Sequence, residues 1–219
     1  MPTGTSSMVD PAFATLRQFA RSKGPLERCE LCCAGLGREH PHLVEIALRQ
    51  IVCACEACAT LFDGMSGRRY KRVFRRARLL DNFQMTDGQW ENLLIPIGMA
   101  FFFHSSMEGR TVTLYPSPAG AVESPLPLDA WTEIVRQNLV LRQLQPDIEA
   151  LLMNRVGHTH ELSQAEYFLA PIDECYRLVG LIRANWKGLS GGSEVWTEIG
   201  RFFSDLRSRA DAVTGRQNA

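Results

Sequence analysis

The chain has 219 residues, 45% of them hydrophobic and 22% charged, which suits one large soluble domain or a medium one with a small companion. Lys+Arg and Asp+Glu each number 24, so no global field draws the protein to nucleic acid or to an anionic membrane, and any electrostatic recognition must be local. The most apolar run, residues 95–103, is nine residues long and contains Pro96 and Gly98, against the roughly 20 that a membrane-spanning helix needs.

Residues 1–24 read as a small, polar, disordered start followed by an amphipathic helix. Asp10-Pro11 supplies an N-cap and a proline at the first helical position, and Phe13, Leu16, Phe19 and Ala20 share one stripe. The first seven residues lack the charged start and apolar stretch of a secretory signal, so a cytoplasmic location is expected.

Residues 25–66 form the next unit. Six of the seven cysteines fall between positions 29 and 58, and Cys29-Glu30-Leu31-Cys32 and Cys55-Glu56-Ala57-Cys58 are two CxxC pairs separated by 22 residues. A two-residue spacer lets a tight turn aim both sulfurs at one point, and two such turns complete a tetrahedron suited to Zn2+. Between the pairs, residues 43–46 and 49–52 read as a β-hairpin that returns Cys55 to the first turn, and residues 55–62 as a short helix. This is the outline of a zinc-ribbon or treble-clef module. Cys29, Cys32, Cys55 and Cys58 are the candidate ligands, with Cys53 as the alternative to Cys55. Iron in the same tetrahedron would make a rubredoxin-like carrier, and spacing does not separate the two metals.

The remainder, residues 67–219, reads as an α+β domain with an antiparallel sheet and C-terminal helices. It opens on a basic stretch, Arg68, Arg69, Lys71, Arg72, Arg75, Arg76 and Arg78, with strand-like alternation around Tyr70 and Phe74. That stretch is a candidate docking surface for a protein partner, favoured over a phosphate-binding surface because the whole chain is neutral. Thr86 and Gln89 have capping-box spacing ahead of Trp90, Leu93 and Leu94. Residues 99–103 and 111–115 are β-rich runs around Glu108-Gly109, and residues 116–127 read as a proline-rich loop. A helix over 128–138 is expected with Asp129 as its cap, then strands at 148–153 and 167–170 around a polar loop at 157–165. Two helices close the chain. Cys175, Leu178, Val179, Ile182 and Trp186 form the stripe of one, capped by Asp173, and residues 189–192 break it. Ser193 is expected to cap the second, with Val195, Trp196, Ile199, Phe202, Phe203 and Leu206 on its buried face.

No catalytic constellation is complete, so no enzyme is expected. His40-Pro41-His42 stands where a His-Asn-His nuclease would carry its general base, but residues 59–63 lack the second His or Asn that chemistry needs, so both histidines are assigned to the surface. His158, His160 and Glu161 have ligand chemistry on a polar loop without a second cluster to complete a site.

Several strings taken together resemble a known family: Cys29-Glu30-Leu31-Cys32, the run from Cys53 to Cys58, Ala100-Phe101-Phe102-Phe103, and residues 115–120, 149–155 and 171–182. The chain resembles, from about residue 26 to 206, an uncharacterised bacterial domain family encoded beside high-affinity uptake nickel–iron hydrogenases. The resemblance carries over the cysteine pairs and no catalytic residue. Cys33 stands where the family tends to have glycine. The resemblance implies an accessory role in hydrogenase maturation or assembly, with a hydrogenase subunit or maturation factor as partner. The expected function is thus a zinc-binding accessory protein acting through protein contacts. The alternatives are the iron electron carrier and a zinc-finger nucleic-acid binder using Arg68 to Arg78.

Overall fold

The computed structural model describes residues 27–63, 69–156 and 165–212, and is a mixed α+β structure with antiparallel sheets and C-terminal helices. The N-terminal helix expected over 10–21, Arg68 and the histidines of 157–165 lie outside the described residues.

The cysteine hairpin is β1 (His42–Glu45) and β2 (Gln50–Cys53), followed by α1 (Glu56–Phe62). β3 (Tyr70–Arg72) pairs antiparallel with the outer side of β1, giving a three-stranded sheet of order β2-β1-β3. The register sets Leu43 opposite Val52 and Leu43 opposite Arg72.

The second sheet has seven strands. β4 (Arg78–Leu79) precedes α2 (Asp87–Glu91), and β5 (Met99–Ser105), β6 (Arg110–Ser117) and β7 (Gly120–Ser124) form an antiparallel meander. α3 (Leu128–Gln137) and a 3-10 turn at Leu139–Gln143 lead to β8 (Glu149–Asn154) and β9 (Glu166–Pro171). α4 (Ile172–Asn185), α5 (Gly192–Arg209) and β10 (Asp211–Ala212) finish the described chain. The order is β10-β4-β9-β8-β5-β6-β7, antiparallel except where β10 lies parallel to β4.

The central strands are apolar at nearly every position because both faces are covered. Alternate side chains explain it: Phe101, Phe103, Leu152, Phe168 and Ala170 pack on the face that receives α4 and α5. Ala100, Phe102, Leu151, Met153 and Leu169 pack on the other face with Trp131 and Ile134 of α3. Phe102 stacks on Trp131 with ring centroids 4.9 Å apart. Val44 of β1 and Val73 belong to the core beneath α4 and α5, so the small sheet is packed directly on the large one.

Five local expectations need correction. Residues 116–127 are not a loop throughout: β6 runs to Ser117, and β7 returns from Gly120 with Pro116 opposite Ala121. Gly120, at φ 129°, makes the reversal, and the N–H of Ala119 donates to Ser117 Oγ at 3.1 Å. Pro116 is tolerated because β6 pairs with β5 only from Arg110 to Leu114, so at Pro116 the strand has a partner on the β7 side alone. Asp129 and Asp173 lie inside the first turns of their helices, whose N-caps are Pro127 and Pro171. Gly191 at φ 86°, rather than Ser193, caps α5. Trp196 is 41% exposed, its indole N–H directed to the Ser190 carbonyl at 3.2 Å, while Val195, Ile199, Phe202, Phe203 and Leu206 are buried as expected. The capping box of α2 is present in full, with Thr86 Oγ1 accepting from the Gln89 N–H and Gln89 Oε1 accepting from the Thr86 N–H.

Candidate metal centre

The first CxxC pair sits in a tight turn closed by two backbone bonds, Cys33 N–H to the Cys29 carbonyl and Cys29 N–H to the Ala34 carbonyl, each 2.8 Å. To turn that sharply, the residue after the pair must enter the left-handed region, and Cys33 does so at φ 63°. This gives a physical reason for glycine at that place. The knuckle is tied to β2 through Glu30, whose N–H donates to the Cys53 carbonyl at 2.9 Å and whose Oε1 accepts the Cys53 N–H at 2.6 Å.

The second pair opens α1. Cys55 is the N-cap, with extended backbone, and its Sγ accepts the Cys58 N–H at 3.5 Å. Cys29, Cys32, Cys55 and Cys58 bring their sulfurs within 4.8 Å of one another, and Cys32 Sγ is 3.6 Å from Cys55 Sγ. Four sulfurs bonded to one ion at about 2.3 Å stand about 3.8 Å apart, so only a small contraction closes the tetrahedron. Leu36, Leu43, Val52, Ala54 and Ala59 pack with Cys29 and Cys58 in a small apolar cluster. Knuckle, hairpin, then helix carrying the second pair is the treble-clef order anticipated from spacing.

The thiols are not equivalent. Burial alone would raise the Cys29 thiol, but the N–H groups of Cys55, Leu31 and Cys32, with the Cys32 side chain, bring it down to about 6. Cys58 is pushed up to about 12 by burial and by the neighbouring thiols of Cys32, Cys55 and Cys29. Within one cluster Cys29 therefore sheds its proton readily while Cys58 holds on to its own, and a bound cation is what favours thiolates throughout such a site. Cys53 is not in this group. Cys175 is fully buried on the inner face of α4, and burial keeps its thiol well above the ordinary range.

The basic stretch has intramolecular partners. Arg69 bonds Glu45 at 2.9 Å, Lys71 bonds Asp147 at 2.6 Å, and Arg72 bonds Glu56 at 2.7 Å. Arg75 lies 3.4 Å from Glu39, Arg76 bonds Asp211 at 2.5 Å, and Arg78 bonds Glu149 at 2.9 Å. Arg69, Arg75 and Arg76 remain half or more exposed, whereas Lys71, Arg72 and Arg78 lie between elements. Phe74 projects among them, 63% exposed, beside a cleft of about 340 Å³ lined by Arg76, Arg78, Gln143, Gln145 and Glu149.

The surface assignment of His40-Pro41-His42 is overturned for His40, which is buried, and His42 begins β1 with its ring partly covered. His40, His42 and Cys53 converge to form a second group. The signal that could have found it was the pairing of hairpin positions 42 and 53, which follows once the hairpin is assigned.

Fold and site together define a small α+β protein with a four-cysteine cluster able to bind a metal ion. The chain belongs to DUF5947, a family of unknown function whose model matches residues 28–210. No curated protein and no solved structure matches it significantly. Among the described residues no helix is long and apolar enough to cross a membrane.

Proposed function

We propose that the protein is a zinc-binding accessory factor that works through protein–protein contacts in the maturation or assembly of a nickel–iron hydrogenase. The observation that carries the metal is the convergence of four sulfurs from two turns, held by the Glu30–Cys53 bonds and the Cys55 cap. Zinc is favoured over iron because closed four-thiolate sites are the common structural form for that ion. The hydrogenase context rests on the resemblance of the motifs around the cysteine pairs and at 171–182.

The docking surface is formed by the exposed side chains of Arg69, Phe74, Arg75 and Arg76. An exposed aromatic among guanidinium groups beside a cleft suits a partner that presents acidic side chains around an apolar one. Arg76 and Arg75 can exchange their exposed internal carboxylates for those of a partner at little cost, since such surface pairs contribute about 0–1 kcal/mol.

Elemental analysis with an absorption spectrum tests the metal: zinc without visible bands supports the reading, and iron with charge-transfer bands replaces it with the electron carrier. Affinity capture from hydrogenase-producing cells, with Phe74→Ala/Arg76→Glu as control, tests the partner. Recovery of hydrogenase components that the control loses supports the assignment. Recovery that the control retains moves the docking surface elsewhere, and capture of nucleic acid in a steeply salt-dependent manner supports the zinc-finger alternative.

A further inference from the structure

The backbone of residues 40–42 is held from three sides. Arg75 donates to the His40 carbonyl, the Ala54 N–H donates to the Pro41 carbonyl at 3.0 Å, and the Val73 N–H donates to the His42 carbonyl at 3.0 Å. With Ala54 bonded to Pro41, the next pair in register, His42 and Cys53, is of the non-hydrogen-bonded kind, whose side chains stand closest on one face. Cys53 turns its own N–H and carbonyl to Glu30 instead.

The two imidazoles are preset in the same tautomer. His40 Nδ1 lies 3.0 Å from the Gly37 carbonyl and 3.5 Å from Glu27 Oε2. Both oxygens are acceptors, so Nδ1 carries the hydrogen and Nε2 carries a lone pair. That Nε2 is buried and has no hydrogen-bond partner, on a side chain only 7% exposed. His42 Nδ1 lies 2.6 Å from Asp173 Oδ2, which likewise accepts, and leaves its Nε2 free to bind. The rings meet edge to face at 5.0 Å between centroids. The ligand atoms of His40, His42 and Cys53 all lie within 4.8 Å of one another. A carboxylate or carbonyl fixing the far nitrogen of each ligating histidine is the usual support of a metal site.

We propose that His40, His42 and Cys53 form a second metal site, separate from the four-cysteine centre. It takes a transition-metal dication of the zinc–cobalt–nickel class through two imidazole nitrogens and one thiolate. Two nitrogens and one sulfur are a borderline donor set matched to these ions, and three protein ligands leave a fourth position open to water or to an incoming ligand. The closed four-thiolate centre is then structural, and the three-ligand centre is the one whose ion exchanges. Asp173 is a positioning residue: it reaches from α4 in the large domain to orient His42, so the site straddles the small sheet and the large one. Cys53 is accordingly a ligand in its own right rather than a substitute for Cys55.

Native mass spectrometry of the full chain, stripped of metal and reloaded with excess Co2+, reads the stoichiometry directly. Two cobalt ions per wild-type chain are expected, and one in Cys53→Ser and in His42→Asn. The thiolate-to-cobalt absorption of Cys53→Ser should fall by about one fifth, because it loses one sulfur donor of five. Limiting chelator should remove the first equivalent from the wild type with the spectrum of the nitrogen-containing site. A wild-type chain that binds one cobalt at saturation overturns the proposal whatever the variants do. Two ions retained in both folded variants overturn it as well.

Discussion

Lys71 Nζ lies 2.6 Å from Asp147 Oδ2 and 3.0 Å from the Pro146 carbonyl, so β3 of the small sheet is pinned to the turn that leads into β8 of the large one. Asp147 is 4% exposed, sits at φ 69°, and also accepts the Ser106 N–H at 2.7 Å through its other oxygen. A cation that would have been assigned to the surface by its basic neighbours is thus the counter-charge of a buried carboxylate.

Replacing Lys71 with Met should therefore destabilise the fold far more than loss of a surface ion pair. Removing one partner of a buried pair costs about 3–5 kcal/mol, and the partial exposure of Lys71 places the expected value near the lower end. Arg76→Met, which breaks an exposed, solvent-screened pair with Asp211, should change stability far less. Urea unfolding of both variants in one buffer measures the contrast. Equal losses would mean that the Lys71–Asp147 bond does not join the sheets.

The same contact predicts an acid dependence. Burial by itself would raise the Asp147 carboxyl, but Lys71 and the Ser106 N–H outweigh it and hold the group below the usual carboxylate range. A carboxyl depressed in the folded state contributes stability that is fully present above its unfolded value near 4 and is lost as pH falls through the folded one. The stability gap between wild type and Asp147→Asn should accordingly be constant from pH 5 to neutrality and shrink below about pH 4. Chemical unfolding across that range measures it. A gap that shrinks above pH 5 would assign the dependence to another group.

If the cysteine cluster holds zinc as proposed, removing that metal should unfold the cysteine module and spare the large sheet. The apolar cluster there is small, and ion binding to such sites supplies on the order of 10 kcal/mol of folding free energy. By contrast, the strands from β9 to β6 share two extensive buried faces. Hydrogen exchange before and after treatment with a strong chelator should lose protection over residues 29–62 and keep it over residues 99–117, 149–154 and 166–171. Loss of protection throughout would make the metal a condition for the whole fold.

How much of this could be read without coordinates depends on how local each signal is. Two CxxC pairs, a hairpin between them and a helix after them carry their geometry in spacing, and the four sulfurs converge as that spacing implies. The stripe Cys175, Leu178, Val179, Ile182 and the runs at 99–103 and 150–153 are equally local and are core, while Trp186, expected on the same stripe, is the half-buried C-cap of α4. β4 and β10 are two residues long and exist because β9 and β4 offer them edges, a property of the assembled sheet. The burial of His40 is of the same kind: it follows from its place just before a paired strand, from Arg75 on its carbonyl and from the His42 ring against its own. Asp173 had a good local role as a helix cap, and a partner 131 residues away took its carboxylate instead.

Cys33 offers a way to stabilise the module without touching the four-cysteine cluster. Its left-handed backbone costs a side-chain-bearing residue roughly 1–2 kcal/mol, of which glycine's greater freedom when unfolded returns part. Cys33→Gly should raise stability by about 0.5–1 kcal/mol and leave metal stoichiometry unchanged, whereas Cys33→Val should lower stability. Thermal unfolding of the metal-loaded proteins, with zinc content measured alongside, gives both numbers. A drop in bound metal in Cys33→Gly would make Cys33 a ligand.

Gly191 is the opposite case, where a side chain cannot be added. The α4–α5 connection turns back so tightly that the Lys187 N–H donates to the Gly191 carbonyl at 3.1 Å, with Gly191 at φ 86° and Gly192 at φ 73°. A Cβ on Gly191 would stand 2.8 Å from Val195 Cγ1 and 3.1 Å from the Trp186 ring. Val195 is fully buried, so it has little room to yield. The turn therefore demands glycine on two counts, backbone and space. Gly191→Ala should cost about 2–3 kcal/mol, shared between left-handed strain and displacement of the packed Val195. Gly188→Ala has the same sign of φ, at 63°, but no atom within 4 Å of the new Cβ, so it should lose only the backbone part, about 1 kcal/mol. Comparing the two by urea unfolding separates strain from crowding. Equal losses would show that Val195 moves aside freely and that only the backbone requires glycine.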